Sequence, residues 1–378
     1  MSKWEKVKLG DICEILDSQR IPVTAANRKA GIYPYYGANG VQDYVNDYIF
    51  DDELVLLAED GGNFGSKDRP IAYRVSGKCW VNNHAHILKP KAGLNVDYLC
   101  YSLMFYDVSD IVNGATRQKL NQAAMRKMQI PLPPLEEQKR IADILDKASN
   151  LIDLRKSQLE KMDLLIKSKF IDMLGDPITN YKGWGVKKLI EVTNKIGSGS
   201  TPRGGKGSYI EEGISLIRSM NVYDGRFKYD ELAYIDLVQA KQMDIVTVFD
   251  SDVLINITGA SVARSCVVPK NVLPARVNQH VSIVRCIYEI INPIYLNRLF
   301  ISDSFKNVLL AVGGAGGATR EAITKQQLEK LDIPIPPIEL QTQFAAFVEQ
   351  VEKQKAVMQQ SFEKMETNYK ALMQEYFG

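Results

Sequence analysis

The sequence predicts an α+β protein built twice over, in which a globular mixed α/β part followed by a long helix is succeeded by a second such pair in an internal pseudo-twofold repeat. Three observations carry this expectation. Residues Gly114 to Gly175 recur without a gap as Gly317 to Gly378, an offset of 203 (317 − 114), and self-similarity of this kind precedes any motif in weight. Each copy contains an I-P-x-P-P segment, Ile130 to Pro134 and Ile333 to Pro337, followed by a long run free of both Pro and Gly. The preceding parts hold alternating β-branched runs, such as Val281 to Ile287, between loops rich in Gly, Asn and Asp, which is the pattern of strands and turns.

A chain of 378 residues exceeds one ordinary core, and the repeat supplies the divisions: globular parts over 1–133 and 184–336, long helices over 134–175 and 337–378, and a connector over 176–183. The net charge of +2 and pI near 8.1 give little support by themselves for a polyanionic partner. Cys13, Cys79, Cys100, Cys266 and Cys286 are scattered without C-x-x-C spacing, and the N-terminus carries no charged-then-apolar leader. A reduced, cytoplasmic setting is the expectation. No apolar run approaches the roughly 20 residues of a membrane helix.

The first half opens with Trp4 to Ile15 and the second with Trp184 to Ile196, an offset of 180 (184 − 4). The second globular part is therefore longer by 23 residues (203 − 180), a difference expected in loops. Internal anchors agree: FDDELVLLAEDGG from Phe50 lies over FDSDVLINITGAS from Phe249, and VNNHAHILK from Val81 lies over VNQHVSIVR from Val277. Asn82 and His84 thus correspond to Asn278 and His280. Asp176 to Gly183 is a Pro- and Gly-containing hinge or turn.

Prolines suit a helix start, Glu136 and Glu137 put negative charge in the first turn, and Gly175 suits a C-cap. Apolar positions follow a 3-4 spacing: Leu145, Ala148, Ile152, Leu159, Met162, Ile166 and Met173 in one helix, and Val348, Val351, Met358, Phe362, Met365, Tyr369, Leu372 and Tyr376 in the other. These are coiled-coil seams, interrupted at Arg155, Lys169 and Lys355. Packing of each helix on its own domain is the alternative, and two copies of equal length favour mutual pairing.

Catalytic chemistry is not evident. His84, His86 and His280 have no Cys or carboxylate at ligand spacing, so no metal site is expected, although His84 and His86 would share a strand face. No G-x-S-x-G elbow occurs. The stretch Ser198 to Ser208 departs from a P-loop at Ser200 and Gly207. Asn292 to Tyr295 (NPIY) departs from the N-P-P-aromatic motif of amino-methyltransferases at Ile294 and lacks a cofactor loop. Two kinds of loop suit nucleic acid instead: Ala58 to Pro70, against the alternative of a solvated turn, and the G-A-T-R segments ending at Arg117 and Arg320, against the alternative of a flexible loop.

In order and duplication, Pro34 to Val45, Glu59 to Ser66, Trp80 to Pro90, Gly197 to Phe227, Asn278 to Arg285, the G-A-T-R segments and the P-x-P-P-x-E-x-Q helix starts resemble the specificity subunits of type I DNA restriction-modification systems, over nearly the whole chain. The resemblance implies two target-recognition domains held apart by two helices paired as an antiparallel coiled coil. Each domain would read one half of a split site on double-stranded DNA. Two methyltransferase subunits would assemble on the helices, joined by restriction (endonuclease and translocase) subunits. S-adenosylmethionine, ATP and Mg would belong to those partners, with no cofactor or catalytic residue in this chain. The two globular parts differ in sequence, so an asymmetric target is expected.

The DNA-contact candidates are Lys67, Arg69, Asn82, Asn83, His84 and Arg117 in the first reader, and Ser200, Thr201, Arg203, Lys206, Arg218, Asn221, Arg264, Asn278, His280 and Arg320 in the second. Asn and Arg suit base edges, whereas Lys and the G-A-T-R arginines suit phosphates. An Asn beside a His at a strand end also suits a turn. A helix of forty residues would span roughly 60 Å and act as a ruler for the unread spacer. The alternatives are a self-contained DNA methyltransferase or nuclease, and a coiled-coil scaffold that has lost DNA reading.

Overall fold

The computed structural model describes residues 4–114, 118–314 and 322–378. The chain forms two compact units, residues 1–157 with 359–378, and residues 158–358, so the division falls near the middle of each long helix. The helices run Leu135–Leu174 and Ile338–Phe377.

The first unit is built on a six-stranded sheet in the order Cys13–Ile15, Ala85–Pro90, Phe50–Ala58, Ala72–Val81, Ala30–Gly37, Gly40–Val45. All neighbours are antiparallel except Ala72–Val81 with Ala30–Gly37. The second half of strand Phe50–Ala58, from Leu54 to Ala58, is apolar without alternation because both its faces are covered. Val55 and Leu57 join the core under helix Val96–Met104, while Leu54 and Leu56 join a second core with Val75 and Ile87.

The second unit repeats this arrangement and extends it. Strands Thr193–Ser198, Val281–Cys286, Val253–Asn256 and Ser265–Val267 follow the same spatial order as the first four of the other unit. Val253 and Ile255 face one core and Leu254 the other. The strands that answer the first unit's parallel pair lie here in a separate sheet, in the order Ala233–Ile235, Ile214–Ile217, Ala275–Val277, Thr247–Val248. Ladder pairing of Leu57 with His86 and of Ile255 with Ser282 aligns Glu59 with Ile257, one residue away from the sequence register. The offset thus rises from 180 at Trp4/Trp184 to 198 at Glu59/Ile257, which places 18 of the 23 extra residues (198 − 180) between those points. They do not lie in loops alone: strand Ile214–Ile217 pairs in parallel with Ala275–Val277 as Ala30–Gly37 does with Ala72–Val81, an offset of 181 (217 − 36) at Tyr36/Ile217, and the segment after it contains helix Leu237–Gln242.

The proline-rich segments are strands before they are helix starts. Gln129–Pro131 pairs with Lys6–Lys8, and Asp332–Ile335 with Gly185–Lys188. The glutamine of P-x-P-P-x-E-x-Q then latches each helix to its unit. Gln138, 1% exposed, donates to Gly93 O (3.0 Å) and Pro133 O (2.8 Å) and accepts from Asn95 N (2.8 Å). Gln341, fully buried, donates to Ile290 O (3.1 Å) and Pro336 O (2.8 Å) and accepts from Asn292 N (2.8 Å). Asn95 and Asn292 in turn cap helices Val96–Met104 and Pro293–Phe300, satisfying N–H groups that no helical carbonyl reaches. The N-P-I-Y string is therefore a helix start. Its Tyr295 hydroxyl donates to Pro334 O (2.7 Å), as Tyr98 does to Pro131 O (2.8 Å).

All the seam positions of the long helices are at least half covered. In the first unit Ile141, Ala142 and Leu145 share a core with Tyr369, Leu372 and Tyr376. In the second unit Ile166, Phe170 and Leu174 share a core with Phe344, Val348 and Val351. There Phe170 meets Phe344 edge-on (5.5 Å) and Lys355 pairs with Asp163, so the helices are antiparallel. Lys355 thus crosses between helices, whereas Lys169 pairs with Asp172 on its own helix (3.4 Å). At the end of the first helix, Gly175 adopts φ +84°. Trp184 Nε1 donates to Leu174 O (2.7 Å), Lys182 to Asp172 O (2.8 Å) and Tyr181 to Ile171 O (3.0 Å), so the connector caps the helix it follows. Among the described residues, no helix is long and apolar enough to cross a membrane. All five cysteines are buried, and burial pushes each thiol up to about 12.

Candidate nucleic-acid interface

In the first unit the turn between strands Ala72–Val81 and Ala85–Pro90 is set by Asn82. Its Oδ1 accepts the His84 N–H (2.8 Å), its amide donates to Gln42 Oε1 (3.1 Å), and its own N–H donates to Tyr36 O (3.0 Å). A short amide side chain bonding the backbone two residues on is an Asx turn. It leaves Asn83 exposed at the tip and brings His84 Nδ1 to 2.6 Å from Asp60 Oδ1, though out of hydrogen-bond alignment. The second unit repeats the device: Asn278 Oδ1 accepts the His280 N–H (3.1 Å), Asn278 N–H donates to Ile217 O (3.0 Å), and His280 Nδ1 lies 2.6 Å from Thr258 Oγ1.

A further segment joins each turn. Leu120 N donates to Glu59 O (2.7 Å) and Glu59 N to His84 O (2.9 Å), matched by Ile323 N to Ile257 O (2.8 Å) and Ile257 N to His280 O (3.0 Å). Asp60 bridges Lys119, and Thr258 bridges Ala322. The stretch directly after each G-A-T-R segment is thus hydrogen-bonded beside the Asn-x-His turn in both units. Arg117, Arg320 and the Lys206 side chain lie outside the described residues.

The other candidates divide by what their side chains touch. Lys67 and Arg69 are exposed on a loop closed by Ser66 Oγ, which accepts the Arg69 N–H (3.0 Å). Ser200, Thr201 and Arg203 are exposed on a loop that begins at Gly199. There the chain approaches so closely that a Cβ would stand 1.7 Å from Val277 O, so only glycine fits. The Gly199 N–H donates to Asn278 O (3.1 Å), which brings this loop to the second turn. Asn221 is buried, accepting from Arg218 N (3.0 Å) and donating to Lys228 O (3.0 Å), while Arg218 bonds Glu231 O and lies over Tyr209. Arg264 and Arg226 both lie over the Tyr223 ring, at 4.6 and 5.4 Å. Asn82, Asn278 and Asn221 have their side chains engaged in holding turns, whereas Asn83, Lys67, Arg69, Ser200, Thr201 and Arg203 face solvent.

Sequence reasoning missed a buried network under the first turn. His86, which shares no partner with His84, has Nδ1 2.6 Å from Asp17 Oδ2 and Nε2 2.8 Å from Leu120 O. Asp17 also accepts from Ile87 N (2.9 Å) and Gln122 Nε2 (3.0 Å). Glu59 takes Arg20 on one oxygen and Lys119 (3.0 Å) on the other. Burial would raise both carboxyls, but these donors outweigh it and hold Asp17 and Glu59 below their ordinary values. Asp17, Glu59 and His86 come within metal-ligand reach of one another, yet each carboxylate already has basic or amide donors. No local motif could have shown this, because Asp17 and His86 are 69 positions apart.

Against known proteins, the family described as the type I restriction modification DNA specificity domain matches residues 1–163 and 181–367. A putative type I restriction enzyme specificity subunit from Haemophilus influenzae is 39% identical over 145 residues, 38% of this chain and 37% of that protein. The MjaVIII specificity subunit of Methanocaldococcus jannaschii is 23% identical across 98% of this chain and 91% of its own length. In fold, the chain is similar to the S subunit of a type I system from M. genitalium, with a TM-score of 0.61 at 11% identity, covering 100% of this chain and 96% of that one. A chain from a structure of type I restriction-modification complex assembly gives 0.55 at 16% identity, over 99% and 97%. With a family match across both repeats, the chain belongs to the type I restriction-modification DNA specificity family.

Proposed function

We propose that each unit reads one half of a bipartite, asymmetric site on double-stranded DNA, and that the chain is the non-catalytic reader for methyltransferase and restriction subunits. The observation that carries this reading is the duplicated Asn-x-His turn, seated in both units beside the segment leaving G-A-T-R. Exposed groups around the turns suit DNA contact, since Arg and Asn match base edges, and Lys and backbone amides match phosphates. Different sequences on the two sets of loops favour two different half-sites.

Partner docking is supported by the first long helix, where Leu151, Leu154, Leu164, Leu165 and Ile171 remain exposed although the seam is covered. An apolar stripe on a helix with its own seam filled suits a further helix. S-adenosylmethionine, ATP and Mg are assigned to the partners, two of them methyltransferase subunits, and the setting is cytoplasmic. The test is footprinting of the chain with its methyltransferase subunits, paired with a methyl-transfer assay of the chain alone. A sequence-selective footprint and no methyl transfer are expected. Transfer from S-adenosylmethionine by the chain alone would make it an enzyme, and partner binding without a selective footprint would make it a scaffold.

A further inference from the structure

In the second unit Val222–Tyr223 and Arg226–Phe227 form a two-stranded hairpin that sets Arg226 directly across from Tyr223. Side chains paired across strands in this way meet, and the Arg226 guanidinium lies over the Tyr223 ring, 5.4 Å from its centroid. Arg264 lies over the same ring at 4.6 Å. It comes from a different loop, between strands Val253–Asn256 and Ser265–Val267. Gly225 in the hairpin turn, at φ +68°, donates its N–H to Ser265 O (2.9 Å) and so holds the two elements together. Asn256, fully buried, completes the tie by donating to Ser219 O (2.8 Å) and Ser261 Oγ (3.2 Å).

Neither guanidinium has a hydrogen-bond or ion-pair partner among the described residues. Arg276, Arg285 and Arg298 of the same unit each pair with a carboxylate, and Asp224 in the hairpin turn is taken by Lys306. Two cations held on one ring without a counter-ion repel each other, a cost that a bound anion removes. With the ring supporting them, both keep their N–H donors unspent, the form in which arginine grips a phosphate bidentately. A base edge is neutral and takes one such fork, so it does not account for the pair.

The arrangement stands at the same end of the sheet as the Asn278–His280 turn. Asn256 pairs with Val281, directly after that turn, and Ile255 pairs with Ser265, so residues 257–264 leave the sheet beside it. Their backbone repeats that of residues 59–66 in the first unit. Gly259 and Gly61 lie at φ +74° and +60°, Ala263 and Gly65 at +67° and +74°, and Arg264 N donates to Ser261 O (3.2 Å) as Ser66 N does to Asn63 O (3.0 Å). A left-handed conformation is costly for Ala263, which is fully buried, yet the loop keeps its shape and delivers Arg264 where the first unit has Ser66. The hairpin has no counterpart in the first unit, where the chain after Tyr36 turns back at once and Gly37 pairs with Gly40. We propose that Arg226 and Arg264, positioned by Tyr223, bind the phosphate backbone of DNA beside the second half-site, and that the first half-site is read without this grip. The inference rests on the reading of both units as DNA readers.

The test uses the full chain with its methyltransferase subunits, on duplexes carrying the sequence it selects from a random pool, over a series of salt concentrations. Arg226→Ala truncates an exposed side chain. It should weaken binding roughly tenfold at low salt for matched and mismatched duplexes alike, lower the slope of log affinity against log salt by about 1, and leave the selected sequence unchanged. Arg264→Ala and Tyr223→Ala should do the same, whereas Tyr223→Phe should bind as the wild type does. Phosphates whose ethylation blocks the wild type but no longer matters to Arg226→Ala should lie beside one half of the site. An unchanged salt slope in Arg226→Ala, or a preference relaxed at a single base, overturns the phosphate assignment. A wild-type slope in Tyr223→Ala, or Tyr223→Phe as weak as Tyr223→Ala, overturns the role of the ring. If Tyr223→Ala fails to fold, the two arginine variants decide. A wild-type complex that selects no sequence overturns DNA reading and the proposal with it, whereas a selective wild type with unaltered variants overturns the grip alone.

Discussion

Replacing Gln138 with Ala removes the single side chain that serves Asn95 N, Gly93 O and Pro133 O at once. A buried backbone group left without a partner costs about 1–3 kcal/mol, but the cavity left by a truncated glutamine has room and polar walls enough for water. The net loss expected is therefore about 3 kcal/mol instead of the full sum. Gln138→Glu should cost more at neutral pH, since a carboxylate oxygen would face the two carbonyls that the amide now serves. In a chain of two units a single unfolding free energy is poorly defined, so the readout is amide exchange at Asn95 and Asn292. Gln138→Ala should accelerate exchange at Asn95 and leave Asn292 protected; Gln341→Ala should do the reverse. Unchanged exchange at Asn95, or equal acceleration at both amides, would refute the latch.

Gly199→Ala places a methyl group 1.7 Å from Val277 O, so the loop must move; a loss of about 1–3 kcal/mol in thermal melts and a weakened second half-site are expected. Lys355→Met exchanges the pair with Asp163 for an apolar seam residue and should change stability by less than about 1 kcal/mol, checked by urea denaturation. The depressed carboxyls give the first unit stability that is complete above their ordinary values of 3.8 and 4.5 and is lost as pH falls toward the lowered ones; acid titration followed by exchange at Ile87 N should show this, and Asp17→Asn should reduce it. Inserting four residues, about one helical turn, after Ala148 should lengthen the unread spacer without altering either half-site, as read by sequence selection.

The long helices were legible because their determinants are local: prolines at the start, an unbroken run of helix formers, a glycine at the end, and a seam that repeats every three or four positions. The duplication made the P-x-P-P-x-E-x-Q glutamines visible as a pattern, but their role depends on Asn95 and Asn292, 43 and 49 positions away in sequence. The N-P-I-Y string, which departs from the amino-methyltransferase motif at Ile294, is a helix cap whose partner Gln341 lies at the same sequence distance. Asn82 and Asn278 stood out for their repeat, and their geometry explains that repeat as a turn whose neighbours reach solvent. The Asp17 to His86 network left no trace in the sequence, since its members lie on four separate segments that only the folded chain brings together.

The central claim, that this chain supplies the sequence preference of a DNA-modifying complex, is tested most directly by mapping methylated bases in cells carrying the chain with its methyltransferase partner, before and after disruption of its gene. One methylated site made of two unlike halves around an unread spacer is expected, present before disruption and absent after it. A methylation pattern that is unchanged by the disruption would contradict the claim.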